Sequence, residues 1–323
     1  MKSILFLTTC LFLSSCTHKT IRNPNSDSSE SLPKQVLEMV NYPPLGLNLR
    51  AGYLLERDRL KGCVIYLQGL GDSIRNHQPY FSKLQENGYR IIYFDYLGQG
   101  GSQGSMDKTR IKTSTGLRTE YEIPEQAEFI WNHYKNVTNE FGHDCSRSKK
   151  LLIGWSTGGL ASYRMAFEKR ADAVVLIAPG IHPRTLVGES AEHPSRAFLF
   201  KQIITEDTLT RQKYTHQPNP HLDPIKPKSP FYVMSFATNL LLTSFQARTW
   251  KIDRNIPGLV FLSGEEDTYV NRDKTIKTLE ENASHFKIIK YDGALHELDN
   301  ETSDVAESVQ TETIRFFDSL IDR

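Results

Sequence analysis

The stretch Lys150-Leu-Leu-Ile-Gly-Trp-Ser-Thr-Gly-Gly159 decides the fold. Leu151 to Trp155 form an apolar run with the length of a buried strand, and a helical pattern over about 158–169 follows. Gly154, Ser156 and Gly158 occupy the junction between them. A serine flanked at two residues' distance by glycines, between a strand and a helix, sits on a sharp strained turn that presents its hydroxyl at the sheet edge above a helix N-terminus. Taken alone, the pentapeptide also fits a glycine-rich turn with an incidental serine, so the rest of the chain must decide.

The same strand-then-helix rhythm recurs on both sides. Upstream, Val36 to Tyr42 and Leu47 to Leu55 read as an antiparallel pair separated by Pro43-Pro44. Cys63-Val-Ile-Tyr-Leu67 and Tyr89-Arg-Ile-Ile-Tyr-Phe94 read as buried strands with a helix near 77–87 between them, and a helix near 122–137 follows. Downstream come Ala173-Val-Val-Leu-Ile177, Gly258-Leu-Val-Phe-Leu262, a helix near 271–283, a strand from His285 to Tyr291, and a last helix over about 302–320. Parallel neighbours need crossover connections, so this pattern predicts an α/β fold: a mostly parallel, eight-stranded sheet with helices on both faces. Residues 181–250, with prolines at 183, 194, 218, 220, 224, 227 and 230, interrupt the rhythm and read as an inserted helical cap. Two of its pieces are apolar, Phe198 to Ile204 and Phe231 to Phe245, the latter carrying Phe236, Leu240, Leu241 and Phe245 near helical spacing. They either cover the sheet or form a lid over an apolar pocket.

A serine hydroxyl becomes a useful nucleophile only when a base takes its proton and a third group orients that base. Both are available at later strand ends. Ser263-Gly-Glu-Glu-Asp267 follows the 258–262 strand, offering Glu265, Glu266 or Asp267, and Asp292-Gly-Ala-Leu-His296 follows the next, offering an imidazole. The order Ser156, acid, His296 is that of an α/β-hydrolase fold and differs from the chymotrypsin and subtilisin orders. Gln68-Gly-Leu-Gly71 ends the Cys63–Leu67 strand where an oxyanion loop belongs, so the backbone N–H groups of Leu70 and Thr157 are the candidate oxyanion donors.

With these motifs in hand, the chain from about Tyr53 onward resembles the serine α/β-hydrolases of the lysophospholipase and monoacylglycerol-lipase group, which includes hydrolases of the serine aminopeptidase S33 type. The carriers are Gln68-Gly-Leu-Gly-Asp72, Phe94-Asp-Tyr-Leu-Gly-Gln-Gly100 with Ser102 and Gly104, Gly154 to Gly159, Gly264-Glu-Glu-Asp267, and Gly293-Ala-Leu-His-Glu297 with Glu301. The G-x-x-D pattern favours Asp267 over its neighbours. Three positions depart from the group: Gln68 and Trp155 stand where histidine is usual, and Gly101 where arginine is frequent. The resemblance implies a carboxylic-ester hydrolase that cleaves a lipid monoester, such as a lysophospholipid or a monoacylglycerol, through an acyl-enzyme on Ser156. Alternatives are an aminopeptidase or general carboxylesterase of the same superfamily, and a non-catalytic envelope lipoprotein that keeps the fold. It also implies that Cys63 and Cys145 lie close enough to pair in an oxidising compartment, two buried free thiols being the other reading. No metal or organic cofactor is expected, since the chain carries no HExxH, no paired C-x-x-C and no dinucleotide fingerprint.

The ends and the composition complete the expectation. Residues 1–15 read as an export signal, with Lys2 as a minimal positive region, Ile4 to Leu13 as the apolar core, and Leu13-Ser-Ser-Cys16 resembling the lipobox of bacterial lipoproteins. Cys16 is then the lipidation site; the competing Cys10 would leave too short an apolar core, and an ordinary signal peptide or short membrane anchor is the plain alternative. Residues 16–34 form a polar tether, whose 18 residues after Cys16 would hold a domain over 35–323 on the order of 25 Å from a lipid surface. Of 323 residues, 39 are Lys or Arg and 38 Asp or Glu. That balance gives no reason to expect nucleic acid as partner, and no oligomeric state is indicated. The expected location is the bacterial cell envelope, lipid-anchored at the periplasmic side of a membrane or at the outer membrane.

Overall fold

Apolar runs of five or six residues, too short for helices and too continuous for a half-exposed sheet, form the centre of the molecule. The protein is described by a computed structural model over residues 35–104, 122–184, 214–216 and 234–321. Eight strands form one sheet: β1 (Gln35–Tyr42), β2 (Leu47–Leu54), β3 (Gly62–Leu67), β4 (Tyr89–Phe94), β5 (Lys150–Trp155), β6 (Ala173–Ile177), β7 (Gly258–Leu262) and β8 (Lys287–Lys290). Their spatial order is β1-β2-β4-β3-β5-β6-β7-β8. β1 and β2 pair antiparallel, as do β2 and β4, whereas every pairing from β4 to β8 is parallel.

Alternation along the inner strands feeds two apolar layers. On β3, Cys63, Ile65 and Leu67 enter one layer and Val64 and Tyr66 the other. α2 (Ile123–Tyr134) and α3 (Thr157–Phe167) cover the first layer, while α1 (Gln78–Glu86) and the long C-terminal helix (Ser303–Ile321) cover the second. Helix starts follow local chemistry. Pro79 and Pro124 stand in the first turns of α1 and α2, where a missing N–H costs nothing. The Asn271 side chain caps the helix Arg272–Asn282 by accepting from the Lys274 amide at 3.0 Å.

β8 is shorter than the 285–291 expected. Among the described residues it pairs only with β7, and the flanking Phe286 amide turns back to Ala283. Cys63, at the start of β3, and Cys145, in the loop before β5, form a buried disulfide with Cα atoms 5.8 Å apart. Within the insertion, residues 181–184, 214–216 and the helix Met234–Ala247 are described. Numbered in chain order, that helix is α4, Arg272–Asn282 is α5 and Ser303–Ile321 is α6. Leu240 packs on the first layer and Ala247 is buried in it, but Leu242 and Phe245 are exposed. The expected leader, Cys16, the tether and the Phe198–Ile204 piece lie outside the described residues. Among the described residues no helix is long and apolar enough to cross a membrane.

Candidate active site

Ser156 joins the end of β5 to the first turn of α3 with φ 53° and ψ −113°, a region that non-glycine residues rarely occupy. Surrounding bonds hold it there: its N–H donates to the Ile177 carbonyl at 2.9 Å, and its carbonyl accepts from Leu160 and Gly180. The two flanking glycines are steric requirements. A Cβ at Gly154 would run into the Gly158 carbonyl oxygen, and one at Gly158 into that of Leu67.

The imidazole comes from the loop after β8. His296 Nε2 lies 2.8 Å from Ser156 Oγ, and His296 Nδ1 lies 2.9 Å from Asp267 Oδ2. His296 and Asp267 are both buried. Ser263 Oγ also donates to Asp267 Oδ2, and the Tyr269 and Val270 amides donate to Oδ1 at 2.7 and 3.1 Å. Burial works against the Asp267 carboxylate, but the nearby His296 and these hydrogen bonds outweigh it and hold the carboxyl below its ordinary pKa. Glu265 and Glu266 stay exposed, Glu265 pairing with Arg272 at 3.2 Å. Of the three candidate acids, the geometry brings Asp267 against the His296 ring and leaves Glu265 and Glu266 at the surface.

The Gln68–Asp72 turn stands over the end of β3, next to β5 in the sheet. The Tyr96 hydroxyl donates to the Gln68 carbonyl at 2.7 Å and the Gly71 amide donates to Gln99 Oε1 at 2.5 Å. Among the described residues, no acceptor takes the amide of Leu70 or of Thr157. The whole is a proton path from a serine hydroxyl to a carboxylate-oriented imidazole, beside two uncommitted amides. Such a group can perform acyl transfer.

A family model described as "Serine aminopeptidase, S33" matches residues 58–303. The chain belongs to this S33 hydrolase family. No curated protein sequence matches it. Solved structures share the S33 chain's fold at low identity. A soluble variant of monoglyceride lipase from Saccharomyces cerevisiae, in complex with a substrate analog, superposes with a TM-score of 0.63 at 14% identity, covering 90% of this chain and 96% of that one. The monoacylglycerol lipase of Paleococcus ferrophilus gives 0.54 at 20% identity, covering 84% and 98%. A carboxyl esterase from Bacillus coagulans in complex with glycerol gives 0.60 at 14%, covering 89% and 98%.

Further side chains pack around the S33 site, of which Tyr214, His77 and His216 lie outside the sequence motifs. Trp155 Nε1 donates to the His296 carbonyl at 3.0 Å, tying the end of β5 to the histidine loop. Tyr214, from the insertion, is buried with its ring stacked 4.5 Å from Tyr269 and 5.7 Å from the His296 ring. Glu301 fastens the same segment, accepting from the His216 amide at 3.0 Å and from the Leu295 amide at 3.2 Å. Asp72, His77 and Glu297 offer donor atoms within 4.8 Å of one another, a spacing that could suit a cation. Both His77 ring nitrogens, however, already face carboxylate oxygens at 2.6 Å, the arrangement of a doubly paired imidazolium. A cleft of about 580 Å³ lined by Arg59, His143, Asp144 and Arg147 opens at the other end of the strands, before β3 and β5 begin, and is remote from the Ser156 turn.

Proposed function

We propose that this S33 hydrolase cleaves a lipid monoester, a lysophospholipid or monoacylglycerol, through an acyl-enzyme on Ser156. The continuous hydrogen-bonded chain from Ser156 Oγ through His296 to Asp267 carries the reading. In it, His296 Nε2 takes the hydroxyl proton as Oγ attacks the ester carbonyl, and Asp267 keeps the other ring proton on Nδ1. The Leu70 and Thr157 amides donate to the oxygen as it becomes anionic. Such a donor is worth about 3–4 kcal/mol where water is excluded. The imidazolium then gives its proton to the departing alcohol, and a water molecule, deprotonated by the same nitrogen, releases the fatty acid.

The lipid assignment draws on the names of the yeast and archaeal neighbours and on the exposed apolar Leu242 and Phe245 of α4. A lipid on Cys16 would keep the enzyme beside its substrate in the envelope. The family description favours a second reading, release of an amino-terminal residue, which needs an acidic group to hold the substrate ammonium.

The test is an acyl-chain series of lysophospholipids and monoacylglycerols beside p-nitrophenyl esters and aminoacyl amides, with fluorophosphonate labelling of the full chain. Long-chain monoesters should be preferred, with labelling at Ser156. A preference for aminoacyl amides would replace the lipid assignment, short-chain preference would indicate a general carboxylesterase, and a folded protein that neither labels nor hydrolyses would reject catalysis. Palmitate incorporation that survives Cys16→Ser would reject Cys16 as the lipidation site.

A further inference from the structure

The oxyanion turn follows β3 and the His296 loop follows β8, four strand spacings apart, or roughly 19 Å at about 4.8 Å each. Sheet pairing alone fixes such distant loops poorly against each other, yet acyl transfer needs the Leu70 amide and His296 placed around one carbonyl to within a fraction of an ångström. A buried contact crosses the gap directly. His77 Nε2 meets Asp72 Oδ2 at 2.6 Å, at the end of the oxyanion turn, and His77 Nδ1 meets Asp299 Oδ2 at 2.6 Å, three residues beyond His296. All three side chains are fully enclosed. Tyr66 of β3 donates its hydroxyl to Asp299 Oδ2 at 3.0 Å, Asn76 donates to Asp72 Oδ1 at 2.6 Å, and the Asn300 amide reaches the Asn76 carbonyl at 3.1 Å. Trp155 is adjacent, its ring centroid 5.8 Å from His77 and 5.5 Å from His296.

We propose that His77, bridging the carboxylates of Asp72 and Asp299, is a positioning residue that fixes the oxyanion turn relative to the His296 loop. Burial on its own would drive the imidazole neutral, but the Asp299 and Asp72 carboxylates overcome it and raise its pKa to about 10, so both nitrogens donate at neutral pH. His77 touches no reacting atom. Its effect falls on transition-state geometry, and therefore on kcat more than on KM.

The inference rests on the ester-hydrolase reading, and the experiment separates the two. Full-length parent, His77→Gln, Asp299→Asn and the milder Tyr66→Phe are assayed on a p-nitrophenyl ester, with active sites titrated to completion by a fluorophosphonate and Tm recorded. His77→Gln and Asp299→Asn should lower kcat per titrated site by about 10²-fold, comparable to misplacing one oxyanion donor, with KM changed less than about twofold and slower labelling. Tyr66→Phe removes the hydroxyl that lies 2.9 Å from His77 Nδ1 and donates to Asp299, while leaving the two carboxylate contacts; it should lose a few-fold in kcat per titrated site, and it carries the test if the others fail to fold. Variants that lose Tm but keep parental kcat per site, or change KM alone, overturn the clamp. An inactive, unlabelled parent overturns the hydrolase reading instead.

Discussion

Replacing Asp267 by asparagine tests the proton path most sharply, because the structure dictates how the new amide must sit. Asp267 Oδ1 accepts two backbone amides, from Tyr269 and Val270, so the carbonyl oxygen of an asparagine belongs there and its NH2 must take the place of Oδ2. That group would face His296 Nδ1, 2.9 Å from Oδ2 in the parent, as a donor. His296 can then satisfy it only by accepting at Nδ1, which moves its proton to Nε2, towards Ser156 Oγ. In that tautomer the imidazole cannot accept the serine proton. Loss of the correct tautomer at a serine–histidine–carboxylate site costs about 10⁴ in kcat, or roughly 5 kcal/mol of transition-state stabilisation. The assay is steady-state hydrolysis of a p-nitrophenyl ester, with circular dichroism to show that fold is retained. Asp267→Asn that keeps more than a tenth of parental kcat would refute the assignment of Asp267.

Three further outcomes are expected. Trp155→Phe removes the donor to the buried His296 carbonyl and should cost about 1–3 kcal/mol, read as a lower urea midpoint; an unchanged midpoint would show that the tie is unimportant. The Cys63–Cys145 disulfide closes a separation of 82 residues, so the double alanine variant should lose roughly 4 kcal/mol by loop-closure entropy, and equal unfolding midpoints with and without reductant would contradict this. His77 is raised to about 10 when folded against an unfolded value near 6.5, so its contribution is complete below about pH 6.5 and declines as pH rises towards 10. The Asp299 and Asp72 carboxylates raise it, with the Tyr66 hydroxyl 2.9 Å from Nδ1 and the Glu297 carboxyl nearby. Parent protein should therefore lose more urea stability between pH 7 and 10 than His77→Gln, and parallel pH curves would count against a charged His77.

The parts of the fold readable from sequence are those with local causes. β4, β5, β6 and β7 occupy the ranges their apolar runs predict, because strands enclosed on both faces need continuous hydrophobicity. Ser156, Asp267 and His296 stand out since each follows a recognisable strand. His77 and Asp299 do not: they meet across 222 positions, and no periodicity announces such a contact. His77, at the margin of an expected helix, looks like an ordinary surface residue. Tyr214 is equally hidden, in a proline-rich stretch without strand period. In the Phe231 to Phe245 segment, Leu240 packs on the sheet layer, as the covering reading expects, while Leu242 and Phe245 are exposed.

The three departures from the family pattern share a physical explanation. Gln68 spends its amide on the Asp72 carbonyl at 3.1 Å, bracing the Gln68–Asp72 turn from within. Trp155 braces the histidine loop. A side chain at position 101 would collide with the Arg50 guanidinium, which pairs with Asp95 at 2.5 Å and donates to Ser73 Oγ at 2.8 Å. Asp95 in turn accepts the Ile74 and Gly101 amides. Glycine at 101 thus admits a cation from β2, where the family often supplies one from the loop itself. Each of the three positions is thus accounted for by contacts that hold a loop. Tyr214, in the insertion, has its ring 5.7 Å from that of His296, so chimeras that exchange the insertion are expected to change chain-length preference while leaving fluorophosphonate labelling of Ser156 intact; an unchanged chain-length profile would refute this.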